Sequence, residues 1–372
     1  MPAATFPSVT RNAAAAAAIT ALALAGCGSS PETPPAGAPA KTAETTTVRL
    51  GYFPNITHAQ PLLGVPRGTY AKALGEGVKV EPSTFNAGPS VIEALFGGRL
   101  DIAYVGPSPT INGFLKSKGA EVRVIAGSAV NGILVVANAK RTGIAKLEDL
   151  KGKKIATPQL GNTQDISARH YLFHTLGAKS KEEGGDTEVI NLANPDIEIL
   201  FEKDQIDAAW VPEPWGSRLV RKGLAKVIAE EKDLWPTKSF ALTNVIARAE
   251  FLEKRPDLVK AFLTAHVALT AELQAKGAEL APELNTELKR ITNKELPRDV
   301  IVDALGYTGF TTDPAVESFQ AFFEKGKALG FLKGDKLDVD GLFKTAILEG
   351  VKAAAPPVPG AADPATSGVA PR

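Results

Sequence analysis

The sequence contains a single cysteine, Cys27, and shows no excess of either charge. One thiol cannot form an intramolecular disulfide, and it cannot build a metal site made of several cysteines. Forty-two Lys and Arg residues stand against forty-one Asp and Glu residues, which leaves a net charge of +1. Long runs of like charge are missing, so the sequence excludes an acidic tail or a basic tract, and no nucleic-acid partner is expected.

Glycine-rich phosphate-binding loops of the Walker and dinucleotide types are also missing, and we expect no cofactor. Aromatic residues are few, at 6%, but hydrophobic residues make up 44% and charged residues 22%. These values are ordinary for a soluble globular protein and exclude disorder over the whole chain. The length of 372 residues exceeds the size at which one hydrophobic core usually keeps growing, so two lobes are expected.

The N-terminal segment has the layout of a secretory signal peptide. Arg11 precedes an apolar, alanine-rich stretch at 13–25, which is too short to span a bilayer permanently. Leu24-Ala25-Gly26-Cys27 resembles a bacterial lipobox, in which the cysteine is acylated and becomes the first mature residue. A chance run of small residues around a buried cysteine is the alternative. We predict a lipoprotein signal peptide at 1–27 and an extracytoplasmic, lipid-anchored protein, in the periplasm or at the cell surface.

The rest of the chain alternates short apolar segments with helical stretches, which predicts an α/β fold. Residues 28–46, rich in Ser, Pro, Thr and Ala, are predicted to be a flexible linker, and the proline-rich residues 352–372 a disordered tail. After about Ala247 the pattern becomes almost wholly helical. The predicted strands are 47–52, 78–80, 102–105, 122–126, 133–137, 154–157, 188–191, 208–211 and 226–229. The predicted helices include 89–96, 109–118, 166–176, 195–202 and 214–222.

One segment of the sequence is repeated in weaker form. Glu93-Ala-Leu-Phe-Gly-Gly-Arg-Leu-Asp-Ile-Ala-Tyr-Val-Gly-Pro-Ser is matched, with one inserted residue, by Glu198-Ile-Leu-Phe-Glu-Lys-Asp-Gln-Ile-Asp-Ala-Ala-Trp-Val-Pro-Glu-Pro. The match aligns Asp101 with Asp207 and Tyr104 with Trp210. It indicates two lobes built on one plan, and it predicts that the loops after both strands lie at the ligand-binding edge of their sheets.

Five motifs then appear in an order that resembles the nitrate, sulfonate and taurine family of ABC-transporter substrate-binding proteins. The resemblance covers nearly all of 48–351. The five motifs are Val48-Arg-Leu-Gly-Tyr-Phe-Pro-Asn, Gly98-Arg-Leu-Asp-Ile-Ala-Tyr-Val-Gly, Leu147-Glu-Asp-Leu-Lys-Gly-Lys-Lys-Ile-Ala-Thr-Pro, Asp207-Ala-Ala-Trp-Val-Pro-Glu-Pro-Trp and Phe251-Leu-Glu-Lys-Arg-Pro-Asp-Leu-Val. The resemblance implies the type II periplasmic-binding-protein fold, with two α/β lobes joined by a two-strand hinge and a cleft between them. Lobe 1 would comprise 47–132 plus 243–351 and lobe 2 would comprise 133–242, with crossings near 131–134 and 242–245.

Loops that lead from a strand into a helix present free backbone N–H groups at the positive end of the helix dipole, which suits an anion. Several such loops occur here, and Gly161 lets the backbone approach a ligand closely. The alternative is that the Ser, Thr and Asn side chains only cap their helices. The predicted ligand-binding residues are Asn55, His58, Gly106, Ser108, Asn131, Gln159, Asn162, Thr163, Gln164 and Glu213.

Two roles are open for Glu213. It could accept a hydrogen bond from an amine or hydroxyl of the ligand, but beside an anion it would need Arg218 to neutralise it. Alternatively, it stabilises the first turn of the helix that begins at Pro214. Similarly, Trp210 and Trp215 could form an apolar wall for the tail of a ligand, or they could simply be core residues.

Catalytic and metal sites find little support in the sequence. His170 and His174 have the i, i+4 spacing that can hold zinc, but Tyr171 replaces the glutamate of the metalloprotease motif and no third ligand is evident. His58 has no nucleophile or carboxylate at a recognisable spacing. We therefore expect neither a metal site nor an enzyme.

The function implied by the resemblance is the solute-binding component of an ABC importer. The expected ligand is a small anion, most simply an aliphatic sulfonate, captured by closure of the lobes and delivered to the permease transmembrane subunits. The protein is expected to be a monomer held at the membrane by its lipid anchor. Alternatives are an importer protein for nitrate, taurine, bicarbonate or another small organic acid, a ligand sensor or adaptor of the same fold, and an enzyme.

Overall fold

The computed structural model describes residues 46–354. The predicted signal peptide with Cys27, the linker before Thr46 and the tail after Ala354 lie outside the described residues. Within 46–354, no helix combines the length and the apolar character needed to cross a membrane.

The described chain forms two β-sheets covered by helices. The strands are β1 Thr46–Tyr52, β2 Val78–Thr84, β3 Ile102–Val105, β4 Val122–Asn131, β5 Ile133–Asn138, β6 Lys154–Thr157, β7 Glu188–Asn191, β8 Ala208–Pro212, β9 Ala225–Glu230, β10 Ala241–Arg248 and β11 Thr308–Phe310. The helices are α1 Ala59–Gly64, α2 Thr69–Leu74, α3 Gly88–Phe96, α4 Pro107–Lys116, α5 Thr163–Arg169, α6 Asn194–Glu202, α7 Trp215–Arg221, α8 Ala249–Lys254, α9 Pro256–Lys276, α10 Ala281–Thr292, α11 Arg298–Tyr307, α12 Val316–Ala328, α13 Val339–Leu342 and α14 Ala346–Ala354.

Five strands are arranged in the same way in the two sheets, and the larger sheet has one additional edge strand, β11. The six-stranded sheet runs β11-β4-β10-β3-β1-β2, and the five-stranded sheet runs β7-β6-β8-β5-β9. In each sheet three parallel strands, β2-β1-β3 or β7-β6-β8, are followed by an antiparallel strand contributed from across the hinge, β10 or β5. We call the six-stranded sheet with its helices lobe 1 and the five-stranded sheet with its helices lobe 2.

The repeated sequence segment gives the same local structure in both lobes. Asp101 accepts a hydrogen bond from the backbone N–H of Arg49 at 2.9 Å, and Asp207 accepts one from Lys154 N–H at 2.8 Å. Each aspartate thus ties the start of a central strand to the neighbouring parallel strand. The fold class predicted from the sequence, two α/β lobes of one plan, is confirmed.

The chain passes between the sheets at two neighbouring places. The first crossing is at Gly132, between β4 and β5, and the second spans 231–240, upstream of the predicted 242–245. Asn131, with a left-handed φ of 62° that asparagine tolerates, donates its backbone N–H to Phe240 O at 3.1 Å. The Asn131 side-chain oxygen accepts the Phe240 N–H at 3.3 Å. Asn131 therefore fastens the two crossings together, while the lobe boundaries given from the sequence stay predictions.

Apolar packing continues from one lobe into the other beside these crossings. One buried cluster contains Val105 and Val124 of lobe 1 together with Val135 and Ile155 of lobe 2. At the second crossing the Trp235 ring stacks on Phe240, with centroids 5.1 Å apart, and lies 5.1 Å from the ring of Phe322 on α12. Burial of this aromatic group holds the lobes together beside the crossings. Lobe movement would therefore change the distance between the lobes on the opposite side of the molecule.

The C-terminal third, predicted to be almost wholly helical up to a tail at 352, differs from that prediction in two places. Residues 308–310 form the edge strand β11, paired with β4, because the segment leaves α11 beside an unpaired sheet edge. Helix α14 continues to Ala354, into the predicted tail, as expected for alanines that favour a helix.

Candidate functional site

A small polar cavity lies where the two lobes face each other at the carboxyl ends of their parallel strands. Its volume is about 20 Å³, and roughly 10–15 Å³ is enough for one water, so it has room for a group the size of one or two waters. Among residues 46–354 no charged side chain lines it. The lining residues are Phe53, Asn55, Thr57, His58, Asn86, Gly106, Asn162, Thr163, Gln164, Asn194, Pro212, Leu242 and Thr243.

Six of the ten predicted ligand-binding residues line this cavity, and their role in binding stays a prediction. They are Asn55, His58, Gly106, Asn162, Thr163 and Gln164.

The other four predicted residues lie elsewhere. Ser108 lies on α4 and is buried beside α5 and α12, and Asn131 is at the hinge. Gln159 accepts a hydrogen bond from Ser90 Oγ of the opposite lobe at 3.2 Å. Glu213 is fully buried behind the cavity.

Sequence reasoning missed two amides that face the cavity, Asn86 and Asn194. Asn86 follows β2 and Asn194 follows β7, so both come after the carboxyl ends of parallel strands. The rule that placed the other loops at the ligand-binding edge would also have found these two.

The cavity asparagines do not act as helix caps. Asn162 is the N-cap residue of α5, but its side chain makes no capping hydrogen bond to the described backbone. Instead its Nδ2 donates to Gln164 Oε1 at 3.0 Å, which leaves the Gln164 NH₂ group as a free donor. The capping alternative therefore does not account for Asn162.

Asn55 is oriented by a residue of the other lobe. The indole Nε1–H of Trp215 donates to Asn55 Oδ1 at 3.0 Å. An indole nitrogen can only donate, so the amide oxygen must face Trp215 and the Asn55 NH₂ group must face away from it. This cross-lobe hydrogen bond gives the cavity a second oriented amide donor.

His58 contributes a neutral donor. Burial lowers its pKa to about 3, so the ring is uncharged at neutral pH. The Phe53 N–H points at Nδ1 at 3.4 Å, which assigns the ring proton to Nε2. The ring packs on Phe53 with centroids 4.3 Å apart, and this contact fixes its orientation at the cavity wall.

Helix N-termini add positive potential. Helices α4, α5 and α6 begin at Pro107, Thr163 and Asn194, all beside the cavity. The first N–H groups of a helix have no acceptor within it, and each N-terminus stabilises an anion by about 0.3–1 kcal/mol, or up to about 2 kcal/mol when partly buried. Pro107 and Pro109 have no N–H, so α4 offers only that of Ser108 in its first three positions.

Thr163 carries a buried hydroxyl that faces the cavity. Its Oγ1 has no hydrogen-bond partner in the part of the chain that the structure describes. Leaving such a group without a partner costs about 1–3 kcal/mol. A ligand atom that accepts a hydrogen bond from this hydroxyl would therefore be stabilised in the cavity.

The lobes lie close together at Gly106. A Cβ atom built there would lie 2.3 Å from Thr163 Oγ1 and 3.2 Å from Leu242 O. Glycine is needed at this position because Thr163 belongs to the opposite lobe and occupies the space of a side chain. The contact shows that the lobes are closed.

Glu213 and Arg218 do not pair with each other. Glu213 accepts hydrogen bonds from Ser217 N–H at 3.2 Å and Ser217 Oγ at 3.0 Å, in the first turn of α7. Arg218 donates to Glu198 Oε1 at 2.9 Å. The geometry favours the reading in which Glu213 stabilises a helix start over contact with a ligand.

Glu213 should make stability depend on pH. Burial raises its pKa to about 8 from an ordinary value of 4.5, so its contribution is full below about pH 4.5 and is lost as the pH rises through 8. Glu213→Gln keeps the contacts with Ser217 without a charge. Calorimetric scans should give equal melting temperatures for variant and wild type at pH 4, and a variant a few degrees more stable at pH 9. The same difference in melting temperature between the two proteins at both pH values would contradict a raised pKa for Glu213.

The two tryptophans of the Asp207–Trp215 motif differ in environment. Trp210 is fully buried and donates to Glu231 at 2.6 Å, so it is a core residue. Trp215 lies beside the cavity and lines a second, outer depression.

The histidine pair gives no sign of a metal site. His170 and His174 stack with ring centroids 5.4 Å apart, and within 46–354 no three potential metal ligands cluster.

Comparison with known proteins gives one family and three informative similarities. Residues 41–283 match the model of the NMT1-like family. The taurine-binding periplasmic protein of Escherichia coli K12 is 32% identical over 224 residues, which are 59% of this chain. The match spans 64% of that protein's length, just under two thirds.

Two solved structures share the fold. The alkanesulfonate-binding protein of Xanthomonas axonopodis pv. citri, solved with bound MOPS, has a TM-score of 0.65 and 20% identity, over 82% of this chain and 99% of its own. The periplasmic nitrate-binding protein of Synechocystis PCC 6803 has a TM-score of 0.69 and 18% identity, over 84% and 89%. The three proteins are named for taurine, alkanesulfonate and nitrate.

Proposed function

Because the chain belongs to the NMT1-like family, we propose that it is the extracytoplasmic solute-binding component of an ABC importer and performs no catalysis. The ligand is a small oxyanion, an aliphatic sulfonate in the leading case. The lobes close on it and the closed form delivers it to the permease.

The observation that carries this proposal is the cavity itself, which is small and lined with uncharged polar groups, several of them hydrogen-bond donors. The NH₂ groups of Asn55 and Gln164, the Thr163 hydroxyl and the His58 ring converge there with three helix N-termini. Donors and helix dipoles bind an anion without a buried cation. A sulfonate has three acceptor oxygens and no hydrogen to donate, which matches such a lining.

The proposal is tested by calorimetric titration of the protein with methanesulfonate, propane-1-sulfonate, taurine, nitrate, bicarbonate and sulfate. We expect a sulfonate to bind with a dissociation constant in the micromolar range or below, equivalent to about −8 kcal/mol. Tightest binding of nitrate or bicarbonate would favour the alternative importer reading. No heat with any of these anions would overturn the proposal.

A transport protein and a sensor of this fold would bind the ligand in the same cleft, and they would differ in the protein to which they pass it or report it. Uptake of labelled ligand into vesicles that contain the cognate permease should depend on added binding protein. Binding without any dependence of uptake on the protein would favour the sensor or adaptor.

We also propose that Cys27 carries the lipid anchor. Cys27→Ala should move the protein from the membrane fraction to the soluble extracytoplasmic fraction, and the mature wild-type N-terminus should have the mass of an acylated cysteine. An unmodified cysteine in the mature wild-type protein would contradict the anchor.

The Trp215–Asn55 hydrogen bond should contribute to ligand affinity. Trp215→Phe keeps the aromatic surface and removes the N–H that orients the Asn55 amide, so affinity should fall roughly 5- to 15-fold, as for a hydrogen bond of about 1–1.5 kcal/mol. Calorimetry measures the change.

Asn55→Ala is the matched partner variant. Because both substitutions remove one oriented donor, the double variant should lose little more affinity than Asn55→Ala alone. Additive losses would show that Trp215 acts independently of Asn55.

A further inference from the structure

Helix α7 of lobe 2 and helix α11 of lobe 1 pack against each other where the lobes meet, and a salt bridge joins them. Arg221, the last residue of α7, donates through Nε to Asp303 Oδ2 at 2.5 Å and through Nη2 to Asp303 Oδ1 at 2.8 Å. Its Nη1 lies 3.2 Å from Asp299 Oδ2. One guanidinium of lobe 2 therefore contacts two carboxylates of lobe 1, and we call this group the inter-lobe salt bridge.

Arg221 supplies the ionic contact between the lobes. Among residues 46–354, no other Lys or Arg forms an ion pair with a carboxylate of the opposite lobe. Asp299 and Asp303 in turn form no ion pair with a second cation in that range. The side chains are partly exposed to solvent, so changing them should leave both hydrophobic cores intact.

The two carboxylates need a cation from outside their own helix. Asp299 and Asp303 are four residues apart on α11, so they lie on the same face of the helix and repel each other. In the closed form Arg221 offsets this repulsion. When the lobes open, Arg221 moves away with lobe 2 and the like charges are left side by side. The inter-lobe salt bridge therefore favours the closed form over the open one.

Helix α7 is tied to lobe 1 at both of its ends. At its start the indole of Trp215 donates to Asn55 Oδ1 at 3.0 Å, and at its end Arg221 reaches α11. A helix of this length spans about 10 Å, so fixing the far end also fixes the direction in which α7 presents Trp215 to the cavity amide. Arg221 itself does not line the cavity, and it acts on the site through Trp215.

We propose that Arg221 is a positioning residue whose salt bridge to Asp299 and Asp303 holds the lobes closed and sets how long a bound solute stays in the cavity. The inference rests on the proposed function in one respect, because a solute must occupy the cavity between the closed lobes. The salt bridge does not touch the solute, so it should act in the same way on any anion that the cavity accepts.

Arg221→Gln in the full chain tests the salt bridge, with propane-1-sulfonate as the probe. The variant keeps a polar side chain and removes the charge. Stopped-flow tryptophan fluorescence should show dissociation roughly two- to five-fold faster than in the wild type, as for a partly exposed ion pair. The association rate should stay the same, because the salt bridge forms only after the lobes close. Equal dissociation rates in the variant and the wild type would overturn the proposal.

Reversal of the charge should give a larger effect, which a second substitution should rescue. Arg221→Glu places another carboxylate beside Asp299 and Asp303, so dissociation should accelerate by a further few-fold, and less so at high salt. Asp303→Arg alone should also accelerate it. Arg221→Glu combined with Asp303→Arg restores opposite charges between the lobes and should recover much of the loss. Losses that add in the double variant would contradict direct pairing of the two residues.

Arg67→Gln is the matched control. Arg67 also contacts two carboxylates, those of Glu272 and Glu283, but all three residues belong to lobe 1. Its loss should leave the association and dissociation rates of propane-1-sulfonate unchanged, although the melting temperature should fall slightly. Dissociation accelerated as much as in Arg221→Gln would show a general effect of a lost surface charge and would overturn the proposal.

A measurement without ligand separates the salt bridge from the proposed function. In small-angle scattering, ligand-free Arg221→Glu should have a larger radius of gyration than the wild type. Arg221→Glu combined with Asp303→Arg should return towards the wild-type radius. If the wild type binds no sulfonate, the proposed function fails, and equal radii of the ligand-free wild type and Arg221→Glu would then overturn the role of the salt bridge as well.

Discussion

Gly106→Ala is expected to hold the lobes apart and to weaken ligand binding roughly 10- to 100-fold. The added Cβ would lie 2.3 Å from Thr163 Oγ1 and 3.2 Å from Leu242 O, and overpacking of this kind costs about 1–3 kcal/mol. In the open form Thr163 moves away with lobe 2, so the cost falls mainly on closure. Calorimetry would report the loss of affinity, and small-angle scattering a larger radius of gyration with ligand present.

Gly143→Ala is the matched control for this variant. A Cβ at Gly143 meets no atom within 4 Å, so affinity and scattering should equal those of the wild type. Thr163→Ala in the Gly106→Ala background removes the opposing hydroxyl and should restore the compact form. Wild-type affinity in Gly106→Ala alone would show that closure does not bring Gly106 against Thr163.

Thr163→Val is expected to have the second large effect. Valine keeps the shape of threonine and removes the buried hydroxyl, which has no hydrogen-bond partner among the described residues. A hydrogen bond to a charged group contributes about 1.5–3 kcal/mol, so affinity should fall roughly 10- to 150-fold. The melting temperature without ligand should stay the same or rise, because an unpaired polar group is removed.

Thr110→Val is the control for Thr163→Val. Thr110 is also buried, but its Oγ1 already donates to Gly106 O at 2.8 Å and it does not line the cavity. This variant should be less stable and bind ligand with nearly wild-type affinity. The opposite pattern, in which Thr163→Val destabilises the protein and spares binding, would make Thr163 a structural residue.

The sequence predicted best the short strands that lie between turn residues. Strands β3, β6 and β7 have the predicted bounds, because turn residues on either side mark where a short strand starts and ends. Helix α4 begins at Pro107 where the prediction began at Pro109, since either proline fits a first helical turn. Strand β4 continues through Gly127 and Ser128 to Asn131, although such residues usually indicate a turn.

The loops that line the cavity could be predicted from local sequence patterns. Strand ends and helix starts gave the loops around Asn55, Gly106 and Thr163, because the edge of a parallel sheet is fixed by its topology. Long-range side-chain pairings were not predictable. The partner of Trp215 is Asn55 of the other lobe, and the partner of Arg218 is Glu198 on α6 of the same lobe and not Glu213. The first contact depends on how the lobes meet and the second on how α6 packs beside α7, which no short stretch of sequence encodes.

The most direct test of the proposed recognition compares butane-1-sulfonate with butyl methyl sulfone, in which a methyl group replaces the charged oxygen. Neutral donors and helix N-termini select for negative charge, and both compounds carry the same tail. Calorimetry should therefore show saturable binding of the sulfonate and no binding of the sulfone at millimolar concentration. Equal affinity for the two, or no binding of the sulfonate, would contradict recognition of a negatively charged head in this cavity.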